Sequence, residues 1–426
     1  MTTRVRERRT FVPPLLTDRP FRRYWTAQTI SLFGDEVSLI ALPLTGVLAL
    51  HANPAQMGYL MAAWLAPSLL FSLPAGVLID RYGHRRLAMI GADLGRAALM
   101  ASIPIVFLAG ALSIVQLYAV AFAVGTLSVV FAVSDGTLFV ALVPPDQYIA
   151  GNSLLHGSRA LASVSGPSIG GMLVQVLSAP AALLADAVSY LASAFCLFRI
   201  RPVEPATQPR GEGAGAGGVR FIAGSAVMRA ALGATATINF FTFMFAALFV
   251  LYVTTSLHVP PGLLGAVLGA GAIGGLLGSM ITGRVAARIG VGPAFTVSCL
   301  LYPAPLMLVP AAGGSRAVVL ALLFLAEFGS GVGVMILDIT VGSIFAAVIP
   351  DPLRARVSGA YRAVNFGARP LGSLTAGALG TAIGPRPTLW IATAGALAGV
   401  IWLLPSPLLR MRTLPDRQPA ESRSAS

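Results

Sequence analysis

Charge is scarce in this 426-residue chain: 11% of its residues are Asp, Glu, Lys or Arg, against roughly 25% in an ordinary soluble protein. That scarcity argues against a soluble globular domain. Lysine is missing altogether, so all 29 basic residues are arginine. Cysteine is limited to Cys196 and Cys299, both inside apolar runs, which points to neither a disulfide framework nor a metal site. No phosphate-binding G-x-x-x-x-G-K-[ST] loop occurs, so ATP is not the expected driver. No metal-ligand cluster or nucleophile–base spacing stands out either. The sequence therefore predicts no enzyme, no cofactor and no metal.

What is present is apolar length. Hydrophobic residues make up 56% of the chain, in runs of about 20 residues that suit membrane-spanning helices. Twelve candidates lie near 24–50, 55–79, 87–109, 113–142, 152–178, 181–199, 227–254, 261–283, 291–312, 317–345, 357–382 and 387–409. The fold class is all-α and polytopic. A net charge of +13 would suggest nucleic acid in a soluble protein. Here the arginines fall between the apolar runs, so the lipid bilayer is the expected partner and nucleic acid is not.

Arginine placement sets the orientation. The basic arm 1–23, the 80–86 segment, the stretch 199–220, Arg284, Arg288, Arg354, Arg356 and the tail 411–426 alternate to one side. The opposite loops carry only Arg316 and Arg386. By the positive-inside rule both termini are expected in the cytoplasm of a bacterial plasma membrane. The arm leads into a run too long, and too acidic at its centre, for a cleaved signal. The Pro- and Gly-rich linker 200–220 separates a six-helix bundle at 24–199 from another at 221–410, and the tail is expected to be disordered.

The halves echo each other. LHANPAQMG (50–58) and LHVPPGLLG (257–265) share Leu, His, Pro and Gly at an offset of 207. Gly76, Arg81 and Gly83 meet Gly283, Arg288 and Gly290 at the same offset, and Arg159 and Pro167 meet Arg362 and Pro370 at 203. An internal duplication of six helices gives repeats of like topology, related by an axis along the membrane normal.

Between the second and third runs stands GVLIDRYGHRR (76–86). Its Gly76, Asp80, Arg81, Gly83, Arg85 and Arg86 resemble the signature loop G-x-x-x-D-R/K-x-G-R/K-R/K of the major facilitator superfamily; His84 departs from it at one basic position. The second half keeps GRVAARIG (283–290), with Ala287 in place of the aspartate. The resemblance spans the chain and implies a secondary transporter of twelve helices in two bundles. It also implies that the second helix meets the eleventh, making Arg356 and Arg362 the expected partners of Asp80 in a cytoplasmic latch. In the fifth run, Gly166, Pro167, Gly170 and Gly171 of SVSGPSIGG resemble the antiporter motif, although Ala162 and Ser153 replace its earlier glycines. The segments FRRYWTAQTISLFGDEVSLIALPL (21–44), VPPDQYIAGNSLL (143–155) and IPDPLRARVSGA (349–360) are similar to the macrolide-efflux and enterobactin-exporter branch.

Ionisable groups inside spans are costly and mark functional candidates. At 1.5 Å per residue, Asp35 and Glu36 lie roughly 16–18 Å deep and Arg96 roughly 14 Å. Asp93 and Arg96 share a helix face, whereas Asp35 and Glu36 project about 100° apart. These four are the candidate proton-coupling groups. The resemblance implies a cavity lined by the first, fourth, seventh and tenth helices, which offers Asp135, Asn239, Phe240, Phe243, Glu327 and Asp338 as candidate substrate contacts. Asp186, near the end of the sixth run, is given no role. The fourth run lacks the arginine common in drug/proton antiporters. The expectation is a monomeric, proton-coupled exporter of a hydrophobic small molecule. Export of a siderophore or lipid, uptake by symport, and a non-transporting scaffold are the alternatives.

Overall fold

The computed structural model describes residues 14–200 and 216–413. The basic arm (apart from residues 14–23), most of the linker and the tail beyond residue 413 lie outside the described residues. In the first half the helices are α1 (Arg19–Leu44), α2 (Pro54–Tyr82), α3 (Arg85–Leu108), α4 (Ile114–Leu142), α5 (Tyr148–Val176) and α6 (Ala179–Phe198). A nine-residue helix, α7 (Ala216–Gly224), begins inside the segment expected to be linker and runs past its end. The second half holds α8 (Ala226–Thr255), α9 (Pro261–Ile289), α10 (Val291–Leu301), α11 (Leu308–Ala311), α12 (Arg316–Val348), α13 (Arg354–Ile383) and α14 (Pro385–Leu397). The expected ninth span is thus two helices, with Pro303, Pro305 and Pro310 around the break.

Backbone polar groups find no water in a bilayer core, so long helices are the favoured solution. Their ends are marked in sequence. Asp18 caps α1 by accepting from the Phe21 amide at 3.0 Å, and Asn53 with Gln56 forms a reciprocal capping box on α2. Among the described residues nine segments are long and apolar enough to cross a membrane; α2, α5 and α13 are not among them. Those three all lie in the seams between the halves, where α2 packs on α13 and α5 packs on α9.

The duplication is reproduced bond by bond. His51 and His258 both take left-handed backbone, with φ of 51° and 53°. The Leu50 and Ala52 amides bond the Thr45 and Gly46 carbonyls, and the Leu257 and Val259 amides bond those of Tyr252 and Val253, each 207 residues on. α2 and α9 then run 29 residues each and stop at Gly83 and Gly290, both with positive φ. Exchanging the halves maps α2 on α9 and α5 on α13, so it maps one seam on the other. This is the twofold arrangement expected from the sequence.

Both seams close through backbone contact. A Cβ on Gly58 would lie 2.8 Å from the Gly377 Cα, and one on Gly171 would lie 3.1 Å from the Gly265 Cα. Under the exchange Gly58 maps on Gly265 at an offset of 207 and Gly171 on Gly377 at 206, so α5 and α13 superimpose three residues away from the 203 offset read in the sequence. All four glycines sit at the end of the bundle opposite the termini, near the α1–α2, α5–α6, α8–α9 and α13–α14 turns. The halves are clamped at that far end.

Candidate functional site: a central cavity beside a buried charge cluster

A cavity of about 690 Å³ lies between the halves, on the terminal side of the glycine clamp. The first half contributes Ser38, Leu39, Met57, Trp64, His156, Arg159 and Ser163 to its wall; the second contributes Thr242, Phe245, Phe249, Tyr302, Glu327 and Met335. The surface is therefore mostly apolar and aromatic with a few polar points, the usual make-up of a small-molecule site. Glu327 comes from the middle of α12 and makes no hydrogen bond or ion pair among the described residues. It packs against α9, where a Cβ on Gly271 would sit 3.3 Å from its carboxylate.

The remaining residues expected in the wall lie elsewhere. Asn239, Phe240 and Phe243 occupy faces of α8 turned to α13. The Asn239 side-chain amide donates to Asn365 at 2.9 Å, and Arg369 Nε donates to the Asn239 oxygen at 3.0 Å. The Arg369 guanidinium also lies 4.9 Å from the rings of both Phe243 and Phe366. A Cβ on Gly372 of α13 would meet the Phe240 carbonyl at 2.0 Å. The cavity takes Thr242, Phe245 and Phe249 of α8 instead. Asp135 is held by α1: Tyr24 donates to it at 2.6 Å and Gln28 Nε2 also donates. Neither Asp135 nor Asp338 reaches the wall.

The candidate proton-coupling residues separate by face. Glu36 turns to α5, where Ser163 donates to it at 3.1 Å and the missing side chain of Gly166 makes room for its Cβ. Gly170, one turn on, rests on the Val37 Cα, and Pro167 lies in the same helix opposite Gly265. The motif glycines of α5 thus serve two contacts, with α1 inside the half and with α9 across the seam.

Asp35 turns to α6 and accepts from the Tyr190 hydroxyl at 2.6 Å. Arg96 of α3 is ion-paired with Asp93, and its guanidinium lies 4.3 Å from the Tyr190 ring centroid and 4.4 Å from that of Phe131. Asp93 and Arg96 are 0% and 3% exposed. The other Asp93 oxygen and the nearby Ser193 hydroxyl are buried without a hydrogen bond among the described residues.

Asp186 joins this cluster, which the sequence did not reveal. It is 0% exposed and accepts from Ser38 and, at 3.0 Å, from Ser189. A usable signal was present: Asp186, Ser189, Tyr190 and Ser193 fall at i, i+3, i+4 and i+7, one polar stripe on an apolar helix. Arg369, half-buried among aromatics on α13, was also missed.

The latch residues are only partly described. The side chains of Gly76, Asp80 and Arg81 lie outside the described residues, and Gly83 ends α2 in left-handed backbone. Arg85 is buried, and Arg86 Nη1 donates to the Ile200 carbonyl just past α6. Arg356 lies against α7, within 3.7 Å of where a Gly217 Cβ would be, and Arg362 is exposed.

Two six-helix bundles, a twofold pair of seams and a central cavity between them define a membrane transporter. The family model described as Major Facilitator Superfamily matches residues 24–333 and 231–425, and the chain belongs to that superfamily. It is 28% identical over 391 residues to the multidrug efflux pump Tap of Mycobacterium tuberculosis, covering 85% of this chain and 87% of that one. Among solved structures it resembles the nucleoside transporter NupG, with TM-score 0.74, 11% identity, and 89% and 97% of the two chains covered. It also resembles a bacterial homologue of the iron transporter ferroportin in an inward-facing state, with TM-score 0.73, 16% identity, and 91% and 98% covered.

Proposed function

We propose that this transporter exports hydrophobic small molecules by alternating access, driven by proton entry, from the cytoplasmic side of a bacterial plasma membrane. The observation that carries the reading is the cavity itself: apolar, aromatic, placed where the halves meet, and adjoining a buried group of three carboxylates around one guanidinium. With both termini in the cytoplasm, the far-end clamp makes this the conformation shut to the outside. The efflux role of Tap supports export over uptake.

Three acids and one arginine cannot all be charged in a dry site without large cost, so the cluster suits a group that gains and loses protons as water comes and goes. In the opposite wall, the carboxylate of Glu327 among Phe245, Phe249 and Tyr302 suits a lipophilic cation. Asp80, with Arg356 or Arg362, remains the proposed latch for the outward-open form, and the working unit is proposed to be a monomer.

Efflux of ethidium from proteoliposomes, with and without an imposed pH gradient, tests this. Outward transport accelerated by an inward proton gradient and abolished by nigericin is expected; concentration of the dye in the opposite direction would sink the export reading. Glu327→Gln is expected to weaken ethidium affinity about 10-fold, roughly the 1.4 kcal/mol of one charge-assisted contact. Unchanged affinity by dye-binding fluorescence would remove Glu327 from recognition.

A further inference from the structure

Asp186 is fully buried, yet among the three acids of the cluster it alone is joined through a hydrogen bond to the cavity wall. Its Oδ2 accepts from Ser38, and Ser38 is itself a wall residue. Its Oδ1 accepts from Ser189, which is buried and also bonds the Asp186 carbonyl at 2.8 Å. Ser38 is itself 0% exposed, so water reaches its hydroxyl only by entering beside it; among the described residues it is the hydroxyl that links this carboxyl to the wall.

The backbone of α1 is shaped around the carboxyl. A Cβ on Gly34 would fall 2.3 Å from Asp186 Oδ1 and 2.0 Å from Ser189 Oγ, so only glycine admits the side chain at this depth. No cation among the described residues is ion-paired with Asp186. The charged and titratable groups that bear on it are Asp35 from α1, Arg96 from α3, and Tyr190 on α6 itself; Asp93 of α3 and Arg159 of α5 act at one remove, through Arg96 and Asp35. Arg96 is committed to Asp93 and to the Tyr190 ring, which leaves Asp186 with hydroxyl dipoles as its hydrogen-bond partners. Such a site holds a neutral acid at much lower cost than an anion.

We propose that Asp186 is the carboxyl that exchanges protons with the cavity, and that Ser38 is the hydroxyl that relays them. The assignment rests on the proton-coupled reading and deepens it. In the loading step Ser38 passes its hydroxyl proton to Asp186 Oδ2 and takes one from a hydronium in the cavity. The serine is regenerated, the acid is neutral and one water remains. Release runs the same exchange backwards when the cavity has reopened on the other side. Asp35 and Tyr190 lie one helical turn from this pair and sense its charge.

Infrared difference spectroscopy of the full-length protein in lipid, titrated from acid to alkaline pH in H₂O and in D₂O, tests the relay without needing a transported compound. A protonated-carboxyl C=O band that disappears on alkalinisation is expected in the wild type and is absent from Asp186→Asn. In Ser38→Ala the band is expected to persist at higher frequency, because a hydrogen-bond donor is lost, and its exchange with deuterium to slow several-fold. Survival of the full band in Asp186→Asn overturns the assignment. So does an unaltered exchange rate in Ser38→Ala, a change small enough to keep the fold should Asp186→Asn not be recovered. Wild-type efflux indifferent to nigericin, with the band intact, would instead count against proton-driven export and leave the protonation of Asp186 standing.

Discussion

Several single atoms decide how this protein is built, and Gly34 is the clearest. A methyl group there collides with the side chains of both Asp186 and Ser189, an overpacking that costs about 1–3 kcal/mol in a tight core. Gly34→Ala is therefore expected to lower the midpoint of thermal unfolding in detergent. Gly91→Ala, at a position with open space beyond it, is expected to leave that midpoint in place. Equal behaviour of the two would mean that α1 can withdraw from α6 without cost. His51 follows similar logic: it is exposed and holds left-handed backbone, so His51→Gly is expected to be neutral or slightly stabilising, whereas His51→Val is expected to cost about 1–3 kcal/mol in the same measurement.

Helices in this molecule divide into those that face lipid and those that face the other half, and the sequence revealed the two unequally. The repeated turn was legible because its conformation needs a fixed set of residues; the shared Leu, His, Pro and Gly at an offset of 207 mark one geometry used twice. The split between Asp35 and Glu36 followed from helical periodicity alone. On α8, by contrast, phenylalanines and small polar residues recur on more than one face, so periodicity could not tell the wall residues Phe245 and Phe249 from Phe240 and Phe243 beside α13. Asp186 was passed over because position along a span was read without the polar stripe that buries it. The glycine motif of α5 was visible, although its two separate contacts were not. At the seam, Gly171→Ala would push against the Pro261 carbonyl, 2.3 Å from the new Cβ. Strain of about 1–3 kcal/mol at a two-state contact shifts populations about 5–150-fold. In a background without Cys196 and Cys299, a Met57→Cys probe in the cavity is expected to react faster with an impermeant thiol reagent once Gly171→Ala loosens the far end. An unchanged labelling rate would show that this seam does not gate access.

On the alternating-access proposal, the halves must part at the clamp in each cycle. A Gly58→Cys/Gly377→Cys pair comes into disulfide reach once the two backbones ease apart by about 1 Å, since a Cβ on Gly58 lies 2.8 Å from the Gly377 Cα and one on Gly377 lies 3.3 Å from the Gly58 Cα. Oxidation of that pair is expected to stop ethidium efflux, reduction to restore it, and either single substitution to be insensitive to oxidant. Continued efflux from a protein shown by mass spectrometry to be bridged would mean that transport proceeds with the far end shut. The two copies of the ancestral bundle have also kept different things in common. At the offset that superimposes their turns, Asp35 corresponds to Thr242 and Ser38 to Phe245, while Gly58 still corresponds to Gly265. A hinge must yield equally on its two sides or it jams, whereas an engine can sit in one of them; on the proposed reading the proton-handling acids belong to one twin, while both twins wall the chamber.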